Sequence, residues 1–264
     1  MGQRIKILLV RRLYLFLTVL VGLTSIATVI FAWSSDDNDT TKVPHYDAYF
    51  LWAGVKPQAI LETAKTVYIL YGEVREEDSR RIVNLRAGVP HVVHADIWMT
   101  VRVERIDWRY QIFDQLLNEI QKWEDAGNRL KGVQIDFDAA TLHLDKYVAF
   151  LTKLRQLLPE RFGLSITGVM DWIVLSKASS LAGLSEVIDE VVIQTYQGRN
   201  TIEGYEVYLR DVDRLNFPYR IGVVQHGDWQ EPSHLSNDQN FKGYVVFLVN
   251  PENRALNVKQ EAGN

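Results

Sequence analysis

The chain has 264 residues, of which 47% are hydrophobic and 23% are charged, and its formal net charge is -4. This length has room for one large domain with a substantial core. The acidic balance, without a dominant stripe of lysine and arginine beyond the N-terminus, argues against nucleic acid as a partner. The absence of cysteine excludes disulfides and thiolate metal sites and leaves the redox compartment open.

The N-terminal region predicts a membrane anchor. Residues 13–33 carry no charge, the segment 1–12 before them is basic, and the segment 34–44 after them is polar and acidic. About 20 apolar residues in a helix cross a bilayer, and the basic flank stays in the cytoplasm. We therefore expect a single-pass anchor in the bacterial cytoplasmic membrane, with 34–44 as a tether and the domain on the periplasmic or extracellular side. A cleaved signal peptide is the alternative, although its apolar region is usually shorter.

Residues 45–255 form the predicted domain, and residues 256–264 form a polar tail. Within the domain, short runs rich in β-branched and aromatic residues alternate with amphipathic segments, which is typical of βα units around a parallel sheet. The clearest predicted helices are 108–130 and 144–158. The predicted strands are 48–53, 66–71, 91–99, 133–138, 164–169, 191–196, 220–225 and 244–249.

Eight strands predict a single (β/α)8 TIM-type barrel, preceded by one N-terminal transmembrane helix. About 210 residues are near the lower limit for this fold, so we expect short loops and some reduced helices. An open doubly wound sheet is the alternative. The strand count favours the barrel, as does the lack of a Gly-x-Gly-x-x-Gly turn after the first strand.

The fourth predicted strand carries the candidate catalytic residues. Gln134, Asp136 and Asp138 alternate with apolar residues and therefore share one face of the strand. Neighbours on one face lie about 6 to 7 Å apart, so the two carboxylates repel each other and one should have a raised pKa. A carboxyl that keeps its proton near neutral pH can act as the acid in glycoside cleavage, so Asp138 and Asp136 are the candidate catalytic pair.

Further polar and aromatic residues come at the predicted ends of strands, where active-site residues of such barrels lie. Aromatic planes stack on the apolar faces of sugar rings, and amides bind their hydroxyl groups. A glycan is thus the expected partner, besides the membrane, and no cofactor is implied. The candidate substrate-binding residues are Gln134, Gln194, Tyr196, Trp172, Trp52, Trp98 and Gln225.

Each of these assignments has a structural alternative. The two carboxylates could cap the next helix or pair with an arginine such as Arg199. The tryptophans could fill the barrel, because aromatic residues at strand ends often serve packing. His91 and His94 with Asp96 could hold a metal, but His-x-x-His on a strand directs the rings to opposite faces, so we predict no metal site.

The fourth strand also resembles that of the family 18 glycoside hydrolases, which reads Asp-Gly-x-Asp-x-Asp-x-Glu. With Gly132 on the family glycine, Lys131 takes the place of the first Asp, and Gln134, Asp136 and Asp138 take the three later acidic positions. The resemblance implies that Asp138 is the general acid and that Asp136 positions the acetamido group of the substrate. This chain departs from the pattern at Gln134 and by the shorter acid at Asp138.

A second motif supports this resemblance. Residues 194–197 read Gln-Thr-Tyr-Gln, which is similar to the strand-six motif Gln-x-Tyr-Asn, whose tyrosine contacts the acetamido group. Over its soluble length the chain most closely resembles a bacterial family of uncharacterised proteins with Val-Gln-Ile-Asp-Phe-Asp, Leu-Ser-Ile-Thr-Gly and Gln-Thr-Tyr-Gln-Gly-Arg. These resemblances imply a glycosidase acting on a 2-acetamido sugar polymer, or a non-catalytic glycan-binding or envelope-assembly protein on the same barrel.

Overall fold

A computed structural model describes residues 46–138 and 143–251, all within one compact unit. Eight parallel strands follow each other around a closed barrel, because the first strand pairs with both the second and the last. This arrangement confirms the predicted (β/α)8 barrel. The strands are β1 (Ala48–Leu51), β2 (Thr66–Val74), β3 (Asp96–Val103), β4 (Arg129–Asp136), β5 (Gly163–Val169), β6 (Glu190–Gln194), β7 (Tyr219–Val224) and β8 (Phe241–Phe247).

The predicted anchor, residues 13–33, and the polar tail, residues 256–264, lie outside the described residues. Within 46–138 and 143–251, no helix combines the length and the apolar character that a bilayer span requires.

Three strand boundaries, both ends of β3 and the end of β4, differ from the prediction in a way that changes the site. Strand β3 begins at Asp96 rather than at His91 and continues to Val103, so Asp96 lies at the N-terminal end of the barrel. Strand β4 ends at Asp136, and Asp138 therefore lies just past the strand. The prediction for β3 was wrong because the turn residues before Asp96 include valines, which read as strand.

The helical layer is reduced, as expected for a short barrel. Only a 3-10 turn links β1 to β2 and β7 to β8 (Ala59–Thr63 and Leu235–Asn237). The described link between β2 and β3 holds no helix but a short strand, Val83–Asn84, which pairs antiparallel with β2. The helices are α1 (Tyr110–Asp125), α2 (Leu144–Leu157), α3 (Asp171–Leu175), α4 (Ala178–Ser185) and α5 (Tyr205–Leu209).

The sequence of helix α1 explains both why this segment is helical and where the helix ends. Its buried residues recur every three or four positions and pack on the barrel, as for Phe113, Leu116 and Ile120. The helix is shorter than the predicted 108–130 because Gly127 takes a φ of 82°, which L-residues with a Cβ rarely adopt. The side chain of Asn128 then bonds the carbonyl oxygens of Pro90 and Trp123, which fixes the turn into β4.

Trp98 fills the N-terminal half of the barrel interior. It is 5% exposed and stacks on Tyr68 with ring centroids 6.0 Å apart. Its ring occupies space left by Gly132 and Gly163, the neighbouring residues of β4 and β5. A Cβ on Gly132 would lie 2.1 Å from the carbonyl oxygen of Gly163 and 2.6 Å from the Trp98 ring. Glycine at position 132 is therefore a packing requirement.

A buried polar network surrounds this tryptophan. Glu190 accepts hydrogen bonds from Tyr68 Oη and from Ser165 Oγ, and it forms an ion pair of 3.1 Å with Arg220. Ser165 Oγ in turn accepts from Gln134 Nε2 at 3.1 Å. Because the buried polar groups find partners, the interior can hold a charge pair without the full cost of desolvation.

Candidate functional site

A cavity of about 610 Å³ opens at the C-terminal ends of the barrel strands. Carboxylates, an arginine, amides and aromatic rings line it together, and we call this space the cleft. Its lining residues are Trp52, Arg102, Asp136, Asp138, Val169, Met170, Asp171, Gln194, Tyr196, Gln197, Gly198, Ile202, Tyr208 and Phe247.

Asp136 is the last residue of β4 and points into the barrel, on the same face as Gln134. It is 6% exposed, and one carboxylate oxygen accepts a hydrogen bond of 2.8 Å from Thr167 Oγ1. Burial, with a smaller contribution from the negative charge of Asp138, raises the pKa of Asp136 to about 6, against the opposing effects of the Thr167 hydrogen bond and of Arg102. Asp136 therefore exchanges a proton near neutral pH.

Asp138 lies two residues further on, exposed beside the cleft. It also lines two neighbouring cavities of about 230 and 400 Å³, so open space continues on either side of it. Among the described residues, Asp138 forms no ion pair. Asp138 thus borders open space that a ligand could occupy.

Three aromatic rings form a platform in the cleft. Phe247 lies at its centre, with ring centroids 5.6 Å from Trp52 and 5.1 Å from Tyr196. Burial and the charge of Asp136 raise the pKa of Tyr196 well above its ordinary value, so this hydroxyl stays protonated and can donate a hydrogen bond. The rings are tilted against each other, by 56° between Phe247 and Trp52 and by 32° between Phe247 and Tyr196. The platform therefore offers apolar ring faces in more than one direction, on which sugar rings can stack.

Five of the residues predicted from sequence come together here. The strand ends of β1, β4 and β6 bring their side chains to one mouth, as the barrel topology requires. The residues that line the cleft are Trp52, Asp136, Asp138, Gln194 and Tyr196.

Four other predicted residues lie elsewhere. Gln134 is fully buried below Asp136, where it bonds Ser165 and Thr100, and Trp98 lies deeper still in the barrel. Trp172 is buried in the core, with its ring 6.3 Å from that of Tyr147. The packing alternative thus describes Trp98 and Trp172 better than substrate contact does.

Gln225 follows β7 and turns away from the cleft. Its side chain exchanges hydrogen bonds with Gln58 and accepts one from the backbone N–H of Val249. These bonds join the segments after β1, β7 and β8. Gln225 therefore serves the rim of the barrel, not the cleft.

Asn250 ties together another part of this rim. Its side chain accepts from the backbone N–H of Lys56 at 3.0 Å and donates to the carbonyl oxygen of Gly54 at 2.9 Å. Arg199 donates to the backbone oxygen of Asn250 at 2.8 Å. Arg199 is thus engaged at the rim, and the arginine nearest to Asp136 is Arg102, at 4.0 Å.

Sequence reasoning missed Arg102. The strand prediction ended at Met99, three residues too early to include it. Trp98, Thr100 and Arg102 are two residues apart along β3, so all three side chains face the inside of the barrel. A longer predicted strand with this alternation would have placed Arg102 in the site.

The histidines of the metal alternative form hydrogen bonds with backbone oxygens instead, His91 with that of Ala126 and His94 with that of Leu61. Within the described ranges, no three His, Asp or Glu side chains are grouped to hold a metal.

These features define a (β/α)8 barrel with a carboxylate and aromatic cleft at its C-terminal mouth. Residues 90–205, less than half of the chain, match a family model described as a domain of unknown function, DUF3142. No curated protein matches the chain.

Three solved structures are similar at low identity. The spore cortex-lytic enzyme SleL of Bacillus cereus is 16% identical over 68% of this chain and 50% of its own, with a TM-score of 0.45. The chitinase domain of the Clostridium difficile spore coat protein CotE is 12% identical over 67% and 64%, with 0.46. The family 18 chitinase ChiB of Flavobacterium johnsoniae is 12% identical over 75% and 86%, with 0.47.

The chain thus spans half the length of the SleL chain and less than two thirds of the CotE domain. Likeness at these levels assigns no activity to this chain. What the cleft can do follows from its own residues.

Proposed function

We propose that this protein binds a glycan in the cleft and hydrolyses it, with Asp138 as the general acid and Asp136 as its stabilising partner. The observation that carries this proposal is that both carboxylates and the three-ring platform line one cavity. Glycoside cleavage needs an acid at the leaving oxygen and a group that stabilises the positive charge developing at the sugar carbon. Aromatic rings beside such a pair bind sugars.

In the proposed reaction, Asp138 gives its proton to the glycosidic oxygen as the bond between that oxygen and the sugar carbon breaks. The substrate class is a 2-acetamido sugar polymer, on the resemblance to the family 18 hydrolases. The acetamido oxygen bonds the sugar carbon as the leaving oxygen departs. Water later displaces the acetamido oxygen from this carbon, and Asp138 takes the proton that the water loses. Asp136 orients the acetamido N–H, and Tyr196 and Gln194 hold the same group.

We propose further that the barrel works outside the cytoplasm, held to the bacterial membrane by residues 13–33. The uncharged segment and its basic flank support this location. A polymer in the cell envelope would then be the natural substrate.

The test measures the release of reducing ends by the full-length chain from a panel of acetylated and unacetylated glycans. Asp138→Asn keeps the side-chain size and removes the acid, so turnover should fall at least about 100-fold while binding is retained. Asp114→Asn is the matched control, because Asp114 is exposed on α1 and lines neither the cleft nor the two cavities beside Asp138. Equal turnover by Asp138→Asn and Asp114→Asn would show that Asp138 is not the general acid.

A glycan-binding protein without hydrolysis is the second candidate. It is favoured by the acid at position 138, which is one methylene shorter than the glutamate of the resembled motif, since a misplaced acid can cost about 100-fold in rate. Binding of one glycan with no turnover of any would establish this candidate.

A further inference from the structure

Arg102 lines the cleft without a full set of partners. It lies near the end of β3 with 42% of its side chain exposed. Its nearest carboxylate oxygen belongs to Asp136 at 4.0 Å, and its guanidinium lies 5.6 Å from the centroid of the Trp52 ring. Among the described residues, Arg102 donates no hydrogen bond. Its N–H groups are therefore available to a ligand.

Two other arginines of the barrel, by contrast, have close hydrogen-bond and ion-pair partners for their guanidinium groups. Arg105 holds Asp107 through two contacts of 2.7 and 2.6 Å. Arg220 pairs with Glu190 and also donates to the backbone oxygen of Lys242. Arg102 has neither a forked carboxylate nor a carbonyl partner. A guanidinium held in a cleft with free donors matches the two oxygens of a carboxylate.

Arg102 lies beside Asp136 and Asp138 and can therefore offset their repulsion of an anionic ligand. Arg102, Asp136 and Asp138 all line both the cleft and the neighbouring cavity of about 230 Å³. A polymer that passes these acids therefore also passes Arg102. An anionic sugar at this point would be repelled by the acids, and Arg102 offsets that repulsion.

We propose that Arg102 is a specificity-determining residue that binds a carboxylate on the glycan, so that the substrate class is an acidic glycan rather than a neutral one. This inference rests on the proposed function for its site and adds the charge of the substrate. The aromatic platform holds the sugar rings, and the forked guanidinium selects the chains that carry a carboxylate near the cleavage point.

The experiment compares two soluble polymers with the same 2-acetamido sugar backbone, carboxymethyl chitin and neutral glycol chitin. Full-length protein should bind the carboxymethyl polymer about tenfold more tightly at low salt. Arg102→Gln should bring the ratio of the two affinities close to one. Lys131→Gln removes the same charge from an exposed site at the N-terminal end of β4 and should leave the ratio unchanged.

Arg102→Lys covers the case in which Arg102→Gln fails to fold. Lysine keeps the charge but loses the fork, so most of the preference should disappear. Equal affinity of the natural protein for both polymers would overturn the proposal, and so would a preference that survives both variants. If Arg102 only tuned Asp136, the variants would shift the pH profile for both polymers alike and keep the affinity ratio, which would also overturn it.

The experiment can reject hydrolysis by Asp138 and carboxylate recognition by Arg102 independently of each other. Turnover of glycol chitin that depends on Asp138, without any preference for the carboxymethyl polymer, would retain the hydrolase and reject the role of Arg102. A preference that depends on Arg102, without turnover, would retain the acidic ligand and reject hydrolysis. Binding of neither polymer would reject both.

Discussion

Charged residues are arranged differently at the N-terminal end of the barrel and in the cleft. At the N-terminal end, Lys65 pairs with Asp47 at 2.9 Å and Arg129 pairs with Asp96 at 2.5 Å. At the same end, inside the barrel, Glu190 pairs with Arg220. In the cleft, Arg102 lies 4.0 Å from a carboxyl whose pKa is raised, and Asp138 has no ion-pair partner among the described residues. Paired charges serve the fold, whereas charges left open are available for a ligand.

The largest loss of stability is expected from Gly132→Ala, which breaks the packed end. The added Cβ would lie 2.1 Å from a backbone oxygen of the next strand, and backbone cannot move aside cheaply. We expect the free energy of unfolding to fall by roughly 4 kcal/mol in urea denaturation. Gly88→Ala is the control, since a Cβ there meets nothing within 4 Å. Similar midpoints for the two variants would contradict this account of the packing.

The next largest effect is expected from Glu190→Gln. The variant keeps the shape of the side chain but leaves Arg220 without its counter-charge inside the barrel. Removing one partner of a buried ion pair costs about 3 kcal/mol, which chemical denaturation can measure. Glu62→Gln removes a charge from an exposed site and should have almost no effect. A loss no greater than that of the control would mean that the N-terminal charges do not stabilise the fold.

In the cleft, removing a charge should stabilise the protein, in contrast to the loss of stability expected for Glu190→Gln. The pKa of Asp136 is about 6 in the folded protein against about 4 in an unfolded chain, so the folded state holds this proton more tightly. Stability should therefore fall as the pH rises from about 4 to about 6, and Asp136→Asn should recover about 2 kcal/mol at pH 7.

Urea denaturation of the natural protein, Asp136→Asn and Asp114→Asn across this pH range checks the prediction. The difference between the natural protein and Asp136→Asn should vanish towards pH 4, while Asp114→Asn should follow the natural protein throughout. Parallel curves for the natural protein and Asp136→Asn would show that burial of this carboxyl carries no cost.

The smallest effect is expected from Lys65→Gln. The Lys65 side chain is 80% exposed, so its pair with Asp47 is screened by water and salt. We expect a change of less than about 0.5 kcal/mol in the free energy of unfolding. A larger loss would mean that the ion pairs around the N-terminal mouth act as one network rather than singly.

The sequence predicted the fold because short β-rich runs separated by amphipathic segments leave few arrangements of the chain. It also placed Asp136 and Tyr196 correctly at one mouth, since parallel strands end on the same side. Strand alternation tells which residues face inward but not how deep they lie. Trp98 and Gln134 face inward as predicted, yet they belong to buried layers below the cleft.

Residues at strand boundaries were the other source of error. Arg102 lies beyond the predicted end of its strand, and Gln225 lies just past β7, where alternation no longer sets the direction of a side chain. Its position was decided by hydrogen bonds to Gln58 and Val249, which are distant in the chain. Such partners become visible only in three dimensions.

The bonds of Asn250 have a practical consequence for attaching the protein to a surface. The described chain enters at Tyr46, beside the N-terminal ends of the strands, and reaches Pro251 directly after the residue that joins the loops of the mouth. A tag attached at Tyr46 itself would therefore lie at the end of the barrel opposite the entrance. A tag fused shortly after Pro251 would pull on the rim, so immobilised assays should hold the barrel from its other side.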